Sequence, residues 1–146
     1  MNFYIASRLE NADTVTKVSN VLKAAGHVHT YDWTKHGSVK DEGQDRIEEV
    51  AENEMRGVKG ADIVIAILPG GRGTHAELGI ALGNGCNNII ICAENDDAFQ
   101  QDDRTCAFYW NKPITRVVGG MDVWLTEALS QARKVDHLHR CIEADV

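Results

Sequence analysis

Residues 62–79 read DIVIAILPGGRGTHAELG, and this stretch decides the fold. Asp62 to Leu68 is a nearly continuous apolar run, as expected of a central strand in a parallel sheet that is covered on both faces. Pro69 to Gly73 turns the chain tightly, and Thr74 to Leu82 is predicted helical. A strand feeding a glycine-rich loop that opens directly into a helix can aim backbone N–H groups at an anion. The helix dipole adds partial positive charge at the same point.

Working outward, Asn88 to Cys92 (NIIIC) repeats the buried-strand signature, and Ile114 to Val118 supplies a last strand. A closing helix begins at Met121, with Val123, Trp124, Ala128 and Leu129 expected on its inner side. Glu94 to Cys106 is polar and reads as a mobile loop. Upstream, Asn2 to Ser7 is an N-terminal strand. A helix carrying Val15, Val18, Val21 and Leu22 follows, capped by Asn11 or Asp13 and stopped by Gly26. His27 to Tyr31 is a short strand, Asp32 to Gly43 a loop, and Gln44 to Lys59 a second helix ended by Gly60.

Strands alternating with helices imply βαβ units with right-handed crossovers. The expected class is therefore α/β: a flavodoxin-like (Rossmann-like) three-layer fold around a parallel sheet of about five strands, in one domain over residues 1–146. Ligands of such sheets bind beyond the carboxyl ends of the strands at the topological switch point. That directs attention to Ser7–Asn11 and Pro69–Thr74.

Composition narrows the partners. The chain has 146 residues, 43% hydrophobic and 25% charged, with a formal net charge of −7. An acidic balance disfavours a nucleic-acid polymer, which is bound through clustered Lys and Arg. A small anion held at a helix N-terminus is compatible with it. No secretory leader pattern or apolar run of membrane-spanning length is present, so no membrane partner is expected and the cytoplasm is the default location. Cys86, Cys92, Cys106 and Cys141 show no C-x-x-C spacing and read as reduced thiols. The pairs His27/His29 and His137/His139 lack acidic or Cys partners at zinc spacing, so structural or surface roles are expected. The reading calls for no metal and no cofactor.

Two acids stand out. Thr74 and Glu77 fit a T-x-x-E capping box, in which Glu77 merely caps the start of the helix and its loss costs ~0.5–2 kcal/mol. Yet Ala76, Leu78, Gly79, Ile80, Ala81 and Leu82 leave this helix almost no polar face, so it is buried and a carboxylate at its mouth faces a cleft. Glu54 is the second. Ile47, Val50, Ala51, Met55 and Val58 define an inner stripe on the preceding helix, and Glu54 falls within it. An ion pair with Arg56, Lys59 or Arg72 is the plain alternative; an acid kept for chemistry is the other.

The strand FYIAS, the acid Glu54 ahead of ADIVIAIL, and GTHAELGIALGNG followed by NIIIC resemble the nucleoside 2-deoxyribosyltransferase family. The resemblance covers most of the chain in the right order. It implies transfer of bases between deoxyribonucleosides or hydrolysis of deoxynucleoside 5′-monophosphates, with small-molecule substrates and a homodimer or higher homo-oligomer. By that likeness Glu77 attacks the anomeric carbon, Glu54 helps the base leave, and Tyr4, Ala6 or Ser7 contacts the sugar. Gly71 stands where the transferases carry an Asp and the nucleotide hydrolases a Ser, and Glu54 replaces the usual Asp. Transfer and hydrolysis, nucleoside and nucleotide, stay open.

A second likeness lies in Pro69–Glu77, which fits the P-G-G-x-G-T-x-x-E signature of the phosphoribohydrolases that release cytokinin bases from 5′-monophosphates. There the loop of Gly71, Arg72, Gly73 and Thr74 holds phosphate. A non-catalytic nucleotide-binding module and a TIR-like NAD-cleaving domain are the remaining alternatives. The chemistry itself favours catalysis on a sugar–base bond. Oxocarbenium character at the anomeric carbon needs a carboxylate beneath it, and the leaving base needs a proton from a second acid. Ser7, Arg8, Arg72 and Thr74 are the candidates to bind a 5′-phosphate or hydroxyl. The aromatic region of Phe108, Trp110 and Trp124 is the expected subunit interface.

Overall fold

A computed structural model describes residues 1–146. Five parallel strands form one sheet in the order β2-β1-β3-β4-β5. They are β1 (Asn2–Ala6), β2 (Val28–His29), β3 (Ile63–Ile67), β4 (Ile89–Ala93) and β5 (Ile114–Val118). All residues of β3 and β4 are buried, as their unbroken β-branched runs require. Edge strand β5 instead alternates between buried and more accessible positions. The three-layer α/β class expected from the sequence is the observed one.

The chain first winds leftwards, from β1 through α1 (Ala12–Ala24) to the other edge strand, β2, and then reverses. It crosses by α2 (Gln44–Lys59) to β3 and by α3 (Arg72–Gly83) to β4. Helices α2 and α3 pack together on one face, while α1 and α4 (Met121–Ala144) share the other. The reversal places the switch point between β1 and β3, where the Ser7 and Pro69 loops leave in opposite directions. Ser7 and Asn11 staple these loops together. Ser7 Oγ donates to the Ile67 carbonyl at 2.8 Å, and Asn11 Nδ2 donates both to Ser7 Oγ and to the Pro69 carbonyl at 2.9 Å.

Several boundaries differ from expectation. β2 shrinks to two residues because it pairs only with β1. The Glu94–Cys106 segment holds a short 3-10 helix, Asp97–Phe99, and a second one, Ala107–Trp110, follows. In α4 the inner stripe runs through Trp124, Ala128, Gln131, Ala132 and Val135, which turns Val123 outward. His29 stacks on Phe3 with ring centroids 4.7 Å apart and hydrogen-bonds Ser19, a packing role. No helix is long and apolar enough to cross a membrane.

Candidate active site

Helix α3 begins three residues earlier than the capping-box pattern predicts. Gly71 is its N-cap, and the Thr74 hydroxyl reaches back to accept the Gly71 N–H at 3.0 Å. A Cβ on Gly70 would sit 2.8 Å from Thr74 Cγ2, so the turn closes this tightly only with glycine there. Glu77 thus lies in the second turn and caps nothing, which removes the plain reading of its role. The first intrahelical bond runs from His75 N–H to the Gly71 carbonyl. The N–H groups of Arg72, Gly73 and Thr74 precede it and have no acceptor within the helix.

A cleft of about 800 Å³ opens over this helix start. Glu77 and Glu54 both line it, with Ser7, Arg8, Gly71, Arg72, Gly73 and Thr74 at the switch-point end. The 7% exposure of Glu77 makes it the one buried carboxylate of the chain. Burial pushes its pKa up to about 8, the nearby Glu54 charge adds to the rise, and the Tyr4 hydroxyl partly opposes it. Tyr4 Oη lies against the carboxyl, yet neither it nor Glu77 Oε2 completes a well-formed hydrogen bond. Glu54 is half-buried, and desolvation raises its pKa while His36 opposes the rise. Glu54 has no ion pair, since Arg56 is turned to Asn53 instead. Its plain alternative therefore fails as well.

Two sugar contacts suggested by the resemblance need correction. Tyr4 and Ala6 have no exposed surface, because β1 is covered by helices on both faces. Tyr4 passes beneath α2, where a Cβ on Gly57 would come within 3.1 Å of its ring, and its hydroxyl reaches the underside of Glu77 instead. Ser7 does line the cleft, but its hydroxyl is engaged in the loop staple. The expected interface is corrected in part. Trp124 is 4% exposed, with its indole N–H directed to the Ala93 carbonyl, whereas Phe108 and Trp110 are exposed.

The inner stripe of α2 also sits differently. Val50, Gly57 and Val58 are buried, while Ile47 and Met55 are each 44% exposed. Ile47, Val50 and Ala51 form an apolar wall of the cleft beside Glu54. The opposite wall, Trp33 and His36–Lys40, comes from the loop after β2 and was not singled out from the sequence. His36 Nδ1 donates to the Gly37 carbonyl at 2.8 Å, which leaves its buried Nε2 without a partner near Glu54. A histidine in a polar loop carries no periodic signal, so only the fold reveals it.

Two carboxyls in unlike surroundings, facing one cleft beside free helix N–H groups, suit the breaking of a glycosidic bond. The chain belongs to the nucleoside 2-deoxyribosyltransferase family, whose sequence model matches residues 3–135. That membership places its chemistry in the cleavage or transfer of N-glycosidic bonds, and it does not favour the cytokinin-type phosphoribohydrolases. A solved structure of a CMP N-glycosidase, BcmB, from Clostridium botulinum superposes with a TM-score of 0.58 at 14% identity. The match covers 88% of this chain and 97% of that one, and at this identity it shows the shared fold. No curated protein matches the chain.

The buried acid has a consequence for stability. Folded Glu77 keeps its proton up to a pH of about 8, whereas an unfolded glutamate has lost it well below neutrality. The folded state therefore binds more protons across that window, and stability falls as pH rises through it. Glu77→Gln should remove this slope and exceed the wild type at pH ~9 by on the order of 5 kcal/mol at most. The expected cost of losing a cap is thus reversed in alkaline solution. Calorimetric melting at pH ~5 and ~9 checks the difference, and parallel behaviour of the two proteins would refute it.

Proposed function

We propose that the protein cleaves or transfers the N-glycosidic bond of a nucleoside 5′-monophosphate or nucleoside, with Glu77 as the nucleophile. The observation that carries this reading is the buried Glu77 carboxyl facing Glu54 in a cleft that ends on free helix N–H groups. In the empty cleft Glu77 keeps its proton near neutrality, its pKa being pushed up to about 8, and desolvation raises that of Glu54 as well. A base accepting a hydrogen bond from Glu54 draws the proton there and leaves Glu77 ionised.

A Glu77 oxygen then bonds to the anomeric carbon as the carbon–nitrogen bond breaks. The electron pair departs with the base, which takes the proton from Glu54. Water or a second base displaces Glu77 from the sugar and returns a proton to Glu54. Tyr4 lies beneath the nucleophile, and the apolar wall of Ile47, Val50 and Ala51 keeps bulk water off the base. The family resemblance adds a homo-oligomer, which would cover the exposed Ile47 of the cleft wall and the exposed Met55. Four unpaired cysteines suit the reducing cytoplasm.

Three unshared N–H groups, with Arg72 and Arg8 at the mouth, favour a 5′-phosphate over a free hydroxyl. Turnover of a nucleoside and of its 5′-monophosphate, measured side by side for base release, checks this. The monophosphate should be the better substrate by kcat/KM. Equal or faster turnover of the nucleoside would remove the phosphate from the reading, and no base release from either would remove the whole of it.

A further inference from the structure

On the far side of the glycine loop from Glu77 lies a second cavity of about 480 Å³, bounded by the segment that joins β4 to β5. One side-chain bridge crosses from that segment to the loop. His75 Nδ1 lies 2.7 Å from the Gly71 carbonyl, and His75 Nε2 lies 2.7 Å from the Tyr109 hydroxyl. A carbonyl only accepts, so Nδ1 carries the hydrogen; Nε2 of the neutral ring then accepts from the phenol. Tyr109 is itself fixed. It is buried, its ring meets Phe99 edge-on at 6.0 Å, and Arg116 donates to its carbonyl at 2.9 Å.

The anchored atom matters because of the peptide it belongs to. The Gly71 carbonyl and the Arg72 N–H are opposite ends of one planar unit, so fixing the first aims the second. Gly71 has no side chain with which to hold that plane, and the backbone bond it accepts from His75 is long, at 3.3 Å. The imidazole supplies the shorter restraint. Resting on the reading that a 5′-phosphate docks on these N–H groups, we propose that His75 and Tyr109 are positioning residues. They latch the β4–β5 connection to the glycine loop and hold its phosphate-binding N–H groups in register. Neither side chain lines the Glu54–Glu77 cleft, so both act through the Gly71–Arg72 peptide.

The test uses ribose 5-phosphate as the binding probe, measured by calorimetry on the full chain, with turnover of a monophosphate and its nucleoside alongside. Tyr109→Phe removes only the hydroxyl, and His75→Asn keeps a donor for Gly71 while losing the link to Tyr109. Each should weaken ribose 5-phosphate by about threefold to tenfold, the scale of one lost hydrogen bond, and His75→Leu should weaken it further. The preference in kcat/KM for monophosphate over nucleoside should fall by a similar factor, because the nucleoside does not use these N–H groups. Imidazole nitrogen NMR of the wild type in mildly alkaline buffer should show hydrogen on Nδ1 and none on Nε2. Wild-type affinity in Tyr109→Phe, or equal losses for nucleoside and monophosphate, would overturn the latch alone. A wild-type protein that does not bind ribose 5-phosphate would overturn the phosphate reading, and the latch with it.

Discussion

Glu77→Gln should release no detectable base from any nucleoside or 5′-monophosphate that the wild-type protein turns over. The substitution keeps the volume of the side chain and its place over Tyr4, but an amide does not attack an anomeric carbon. Loss of a nucleophile costs on the order of 10⁴-fold or more in related chemistry. Glu77 caps no helix and pairs with no cation, so the variant stays folded. Circular dichroism beside the activity assay separates loss of chemistry from loss of structure. A folded Glu77→Gln protein with near-wild-type turnover would contradict the assignment.

Glu54→Gln should lower turnover by ~10²–10⁴-fold, the usual worth of general acid–base assistance. Its effect on stability should be small, because Glu54 is half-buried and makes no ion pair. Two further signs distinguish a proton donor from a packing residue. Bases that leave readily without protonation should be spared most of the loss. Removing the Glu54 charge should also bring the Glu77 pKa down from about 8, because that charge contributes to raising it. Carboxyl-carbon NMR reads the second, and an unchanged Glu77 titration would show that the two acids do not communicate.

What the sequence made legible follows from the range of the forces involved. DIVIAIL and NIIIC announced central strands because residues buried on both faces must all be apolar, a purely local signal. Helix α2 was legible through its apolar recurrence and through Gly60, which stops it. The start of α3 was misread because T-x-x-E matches a capping box locally. The actual cap comes from Thr74 reaching back to Gly71, which the preceding glycines permit. Glu54 was found as an acid among apolar neighbours, although Ile47 and Met55 of that stripe prove exposed. Tyr4 and Ala6 were misplaced as sugar contacts, since depth in a covered strand depends on which helices overlie it.

His36, and the bridge from His75 to Tyr109, were not legible at all. Each joins segments whose proximity arises only when the sheet closes. His75 and Tyr109 are 34 residues apart, and no periodicity links them.

The central claim is that Glu77 bonds to the sugar. A nucleoside or 5′-monophosphate carrying 2-fluoro substitution destabilises the oxocarbenium-like transition state and slows both steps, so a glycosyl-enzyme intermediate accumulates. Mass spectrometry of the trapped, proteolysed protein should then find one sugar added, on the peptide containing Glu77, with one equivalent of base released. An adduct on another residue would contradict the account, as would stoichiometric base release with Glu77 unmodified.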